Sequence, residues 1–162
     1  MDRAIAFRGR LISGGGCSFR AQITADYGQE VQHFALECEA DEDGQISFSV
    51  IEPSTVEGIT GVVQGDDGTI TYDGLQLVFP LMVYGQISPV SAPALLASSW
   101  SKEFILSAGM DGNIYRASYE KKINDKVILI DTYFEKDIPI SADLCYNGYT
   151  VMHMNITNFS FR

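Results

Sequence analysis

The stretch "CSFRAQITADYGQEVQHFALEC", residues 17–38, decides the fold. Cys17, Phe19, Ala21, Ile23 and Ala25 alternate with Ser18, Arg20, Gln22, Thr24 and Asp26, which is the period of a strand with one face buried. Beyond Tyr27-Gly28-Gln29-Glu30 the alternation resumes with Phe34, Leu36 and Cys38 on one face. A two-residue turn at Gly28-Gln29 sets Ile23 opposite Phe34, Ala21 opposite Leu36 and Phe19 opposite Cys38. All the apolar residues then share one side of the pair, and a slip of one residue would turn a strand's whole apolar set into water.

The same reading extends in both directions. "ADEDGQ", residues 40–45, is a turn in which Gly44 takes positive φ, and Ile46, Phe48 and Val50 resume the alternation until Pro53 ends the strand. "EGITGVV" supplies another short strand, and the turns "DDG" and "YDG" bracket strands at 69–72 and 75–79. "SPVSAPALLASSWSK", residues 88–102, breaks the pattern. It carries Leu96 and Trp100 four apart, with Ser91 as a cap before Pro93, and is the one good helix signal. Strands resume over 103–108, 114–120 and 126–134, and a final pair over 138–146 and 149–161 is joined by Asn147-Gly148, the strongest short hairpin signal in the chain. That pair is apolar on both faces, with Ile140, Leu144, Tyr149 and Val151 on one and Met152, Met154 and Ile156 on the other, which implies a sheet covered on both sides at that end. The expected fold is mainly β: a single curved antiparallel sheet or unclosed β-barrel, with one or two short helices against the concave face. Residues 1–16 read as a flexible leader, and 17–162 as a single β-rich domain.

A formal net charge of −10, from 21 acidic and 11 basic residues, repels phosphate backbones, so nucleic acid is excluded as a partner. No window approaches the 18 or so continuous apolar residues of a membrane-spanning helix. Cys17, Cys38 and Cys145 are odd in number and define no disulfide framework, although one bridge and one free thiol would fit. "GGGC" at 14–17 is similar to a bacterial lipobox, but Cys17 also belongs to the strand alternation.

Little in the chain reads as chemistry. His33 and His153 have no partners at metal-ligand spacing, so neither a metal nor a cofactor is expected. Cys145 and His153 could pair as nucleophile and base across the last hairpin, but a regular Asn-Gly register puts them on opposite faces. Asp41, Asp43, Asp66, Asp67 and Asp73 lack the order of a calcium loop and are residues that tight turns select for themselves. The chain reads as a non-enzyme. Its positive signal is apolar supply: nine Phe, eight Tyr, five Met and one Trp in a mostly one-sided sheet. Ordinary core packing explains that supply, and so does a pocket on the concave face. A ligand entering such a pocket would meet Phe19, Ile23, Phe34, Leu36, Phe48, Val50 and Tyr72 from the sheet, with Leu96 and Trp100 from the helix.

The order of elements adds a resemblance. A strand ending in "SVIEPSTVEGITG" and followed by "GTITYDGLQLVFPL", with Ile70, Tyr72, Asp73, Gly74 and Leu77 in an I-x-Y-D-G-x-x-L pattern, resembles the lipoprotein-localisation-factor superfamily of LolA/LolB and LppX-like envelope proteins. The resemblance implies an unclosed barrel plugged by helices, in a protein exported to the cell envelope and tethered to the membrane in its full-length form, with the export signal outside this sequence. It implies a non-catalytic protein that holds acyl chains or a lipoprotein in the concave face. The alternative is an envelope protein-protein interaction domain of the same fold with a filled core. In that family a helix usually precedes the first strand, and "MDRAIAFRGRLISGGG" reads as a poor one, which implies a smaller plug.

Overall fold

The computed structural model describes residues 1–72, 74–83 and 86–162; Asp73 of the "YDG" turn lies outside them. The first strands are β1 (Cys17–Asp26), β2 (Val31–Ala40) and β3 (Ile46–Glu52), followed by β4 (Thr60–Gln64), β5 (Asp67–Tyr72) and β6 (Leu75–Pro80). A small hairpin, β7 (Met82–Val83) and β8 (Gln86–Ile87), leads to the helix α2 (Ala92–Ser101), which a helix α1 (Asp2–Ser13) precedes at the N-terminus. The chain ends with β9 (Phe104–Asp111), β10 (Ile114–Ile123), β11 (Lys126–Glu135), β12 (Ile138–Tyr146) and β13 (Tyr149–Phe161). Eleven strands form one antiparallel sheet in the order β6-β5-β4-β3-β2-β1-β13-β12-β11-β10-β9, and β6 and β9 are its edges. It is an unclosed curved sheet whose two halves meet where β1 pairs with β13.

The first hairpin has the register its residues require: Ile23 faces Phe34, Ala21 faces Leu36 and Phe19 faces Cys38. Ser91 stands at the N-cap of α2 with Pro93 in its first turn, although the Ser91 hydroxyl makes no capping bond. All three cysteines are free. Burial raises the Cys17 thiol to about 12, and its apolar surroundings leave it inert.

Two expectations are corrected. Residues 2–13 are not a flexible leader but α1, held by a stripe of Ala4, Phe7 and Leu11 at helical spacing, all buried. Its end is fixed by the Gly16 N–H donating to the Leu11 carbonyl, with Gly16 at φ +116° where a Cβ would overlap the Ala40 carbonyl. Nor is the last hairpin covered on both sides. A bulge between Leu144 and Cys145 brings Leu144 opposite Met152, so Leu144, Met152, Met154 and Ile156 all face the core.

Both helices lie in the concavity. α2 spans it, touching β2 and β3 on one side and β10 and β11 on the other, and α1 packs beside α2. Phe7 of α1 sits among Trp100, Phe134, Phe159 and Phe161 at ring separations of 4.9–5.8 Å. Val63 of β4 is still buried in the core, but toward β6 the cover thins. Phe48 lies against Gly61, which has no room for a Cβ, and Gly61 pairs with Ile70, which pairs with Leu77. Along that row exposure rises from 4% at Phe48 to 68% at Leu77.

Candidate functional site: a filled concave face with open margins

Seven of the nine expected lining residues come together. Phe19, Ile23, Leu36, Phe48, Val50, Leu96 and Trp100 form one cluster, none more than 4% exposed. Phe34 is half-buried at its rim, and Tyr72 stands apart on the uncovered part of the face, 52% exposed. Trp100 is the centre of the packing: its ring meets Phe7, Phe19 and Phe159 edge-on at 5.4–5.9 Å, and its Nε1–H donates to Thr132 Oγ1 at 2.9 Å. All ten residues of α2 are buried. The space in which a ligand was expected is therefore occupied by the protein's own side chains, at the close packing normal for an interior.

The plug is locked by a residue that sequence reasoning passes over. Arg8 donates from Nε to the Trp100 carbonyl at 2.8 Å, and from Nη2 to the Ser99 and Glu103 carbonyls at 2.8 and 2.6 Å. A guanidinium thus satisfies carbonyls that the end of α2 leaves open, where a cation is also favoured by the helix dipole. Desolvation lowers the Arg8 pKa, and the facing Tyr119 and Glu103 oppose that fall. A second tie closes the same end: Lys121 Nζ donates to Glu103 Oε1 at 2.7 Å, and Ser98 Oγ donates to the same oxygen at 2.6 Å.

Burial by itself would raise the Glu103 carboxyl. The hydrogen bonds from Lys121 and Ser98 and the charges of Lys121 and Lys102 outweigh it and hold the group below its usual range. The folded state therefore favours ionised Glu103. That contribution is fully present above the unfolded value of about 4.3 and is lost as pH falls through the lowered folded value. The melting temperature should drop more steeply below about pH 4.3 in the wild type than in Glu103→Gln, with equal slopes sinking the assignment.

Among the described residues, the concave face has open margins besides the small gap beside α1 at Arg3, Arg10 and Asp137. At one end of the sheet the β1–β2 turn, β8 and the β12–β13 turn enclose a cleft of about 350 Å³, walled by Tyr27, Ile87, Tyr146, Tyr149 and Val151, with Asp26 among them. Tyr27 is fixed there, its hydroxyl donating to the Ile87 carbonyl at 2.9 Å; burial, and then the charge of Glu30, raise its pKa and keep it a donor. None of the nine expected lining residues reaches this cleft. The other margin is the β5–β6 wing, an unpaired edge where Leu75 and Leu77 are 72% and 68% exposed on the concave face and Val78 is 76% exposed on the opposite one.

The outer face carries the polar groups. The bulge that turns Leu144 inward also brings His153 to the same face as Cys145, contrary to the regular register. Even so the two are not partnered. Cys145 Sγ lies 3.5 Å from Thr150 Oγ1, while the His153 ring nitrogens contact Asp143 Oδ1 at 2.6 Å and Asn155 Oδ1 at 3.2 Å. His33 touches Thr24 Oγ1 at 3.4 Å. Arg116 and Ser118 both donate to the Asp131 carboxylate. These groups tie neighbouring strands together, and each is engaged in that task.

No protein-family model matches the sequence, and no curated protein matches it. Solved structures do. The chain is similar to an uncharacterised conserved protein from Thermus thermophilus, at 8% identity over 98% of this chain and 87% of the other, with a TM-score of 0.52. It is similar to a DUF1329 family protein from Desulfovibrio piger, at 12% identity over 99% and 90%, with a TM-score of 0.52. A LolA superfamily protein from Nitrosomonas europaea aligns at 9% identity over 98% and 93%, with a TM-score of 0.48. At 8% and 12% identity the first two likenesses establish a shared fold, that of an unclosed antiparallel sheet curved around helices.

Proposed function

We propose that this protein is a non-catalytic, extracytoplasmic binding protein of the cell envelope that engages a protein partner from its surface, its concave face being closed by its own helices. The envelope assignment rests on the sequence resemblance to lipoprotein-localisation factors. The choice of a surface over an interior site is carried by one observation, the complete burial of α2.

Magnitudes favour the filled face. An acyl segment of six methylenes gains about 5 kcal/mol on burial, at roughly 0.8 kcal/mol each. To make room it must displace α2, re-exposing Leu95, Leu96 and Trp100, all fully buried. At roughly 1.5–3 kcal/mol for each such side chain the three together cost about as much as the acyl segment gains or up to about twice that, and the lock of Arg8 adds to the cost. The β5–β6 wing requires no such exchange. Its apolar side chains already face water, and its edge strand offers unpaired backbone groups to a partner.

Titration with a dansylated undecanoic acid separates the two readings. The surface reading gives no saturable one-to-one site in the wild type. Such a site, if it persists both in the double substitution Leu75→Asp, Leu77→Asp and in Tyr149→Asp at the cleft, would place an acyl chain in the concave face and contradict it. The same double substitution is expected to change stability by less than about 1 kcal/mol in urea unfolding, because it alters side chains that water already covers. A larger loss would mean that the wing is covered in solution.

A further inference from the structure

We infer that the tyrosine cleft at the end of the sheet is a binding site for an organic cation: an amine, guanidinium or quaternary ammonium group. This goes beyond the proposed function, which rests on the filled concave face and the wing and does not use the cleft.

Three observations carry it. The first is size: about 350 Å³ admits a small ligand or one long side chain. The second is lining chemistry. Tyr27, Tyr146 and Tyr149 supply three aromatic rings, whose faces attract cations, and Asp26 supplies a carboxylate beside them. Asp26 is held in place by the Gly28 N–H, which donates to Oδ1 at 2.8 Å, leaving its second oxygen unengaged by the turn. The third is the distribution of charge along the chain. There is no lysine or arginine between Arg20 and Lys102, nor between Lys136 and Arg162, and every residue of the cleft lies in one of these two spans. Asp26 and the nearby Glu30 therefore face a site to which the lining segments bring no basic side chain.

These features favour a cation over the other ligand classes. An anion would meet Asp26 at close range with no compensating charge. A purely apolar ligand would use the tyrosine rings but leave the exposed Asp26 carboxylate without a partner. A cation satisfies the carboxylate and the ring faces together. Its source is either a free amine or an arginine or lysine side chain of a protein.

The test is binding of choline to the intact protein, followed by NMR shifts of the Tyr149 and Thr150 amides. The comparison ligands are the neutral isostere 3,3-dimethylbutan-1-ol, butyrate, and a capped glycyl-arginyl-glycine peptide. The cations should bind at least about tenfold more tightly than the isostere, and butyrate should not bind. Tyr149→Ala, which removes a side chain 75% exposed and so leaves the fold intact, should weaken choline by about fivefold or more, as should Asp26→Asn, which keeps the acceptor for Gly28. Tighter binding of the arginyl peptide than of choline assigns a protein side chain as the source; the reverse order assigns a free amine. Equal binding of the isostere, or no saturation by either cation, overturns the inference.

Discussion

Replacing Trp100 by alanine is expected to lower stability by about 3–5 kcal/mol, the range for deleting a fully enclosed aromatic side chain. Trp100 is 0% exposed, and it joins α2 to α1 through Phe7, to β1 through Phe19 and to β13 through Phe159. No single neighbour can collapse into the space it leaves, because its contacts come from helices and strands on different sides. The indole also satisfies Thr132, whose hydroxyl is buried at 0% exposure. Trp100→Phe separates the two contributions: most of the ring packing survives, while Thr132 Oγ1 loses its donor, at an expected cost of about 1–3 kcal/mol. The midpoint of urea unfolding measures both. An unchanged midpoint for Trp100→Ala would remove α2 as the plug.

The second large effect is expected at Arg8. Arg8→Met keeps a long apolar stem against α2 but removes the guanidinium that serves three carbonyls. A hydrogen bond to a charged group contributes about 1.5–3 kcal/mol, and the three share one donor group and are partly open to water, so a total near 3 kcal/mol is expected rather than the sum. The effect should be local as well as global. Hydrogen exchange of the α2 amides should accelerate more than that of β11 and β12, since the lost bonds hold the end of the helix. Arg8→Lys should recover only part of the loss, because a single ammonium cannot reproduce the fork that spans Ser99, Trp100 and Glu103. Wild-type exchange in the Arg8→Met helix would show that packing alone seats α2.

What is legible in the sequence is what neighbouring residues determine. The hairpin at Gly28-Gln29 follows from alternation and turn geometry, both local, and its pairs are the ones observed. The hairpin at Asn147-Gly148 is legible in its position but not in its faces. A bulge adds one residue to β13, reverses the assignment of His153 and gathers the methionines into the core, and nothing in "NGYTVMHM" marks where the extra residue falls. α1 escapes a sequence reading because its polar residues look unsupported there. Their partners lie far along the chain: Arg8 reaches residues 91 to 95 positions away, and Arg10 stacks on the Phe161 ring at 4.0 Å. The concave residues are recognisable as one face, yet whether that face is hollow depends on how much volume two helices bring to it. Alternation does not encode that quantity. The tyrosine cleft is invisible for a related reason, since two turns and the strand β8, from distant parts of the chain, assemble it. The signal available is the two long spans, Arg20 to Lys102 and Lys136 to Arg162, that contain no lysine or arginine between them.

The concave face is filled by α1 and α2, which leaves an acyl chain no space beneath α2. Native mass spectrometry of the protein, produced in a bacterial envelope and purified without detergent, tests it most directly. The expected spectrum shows the bare polypeptide mass, unchanged as collision energy is raised. A stoichiometric adduct of fatty-acid or lipid mass that stays bound until the protein unfolds, and that persists when the cleft is blocked by Tyr149→Asp, would contradict the account.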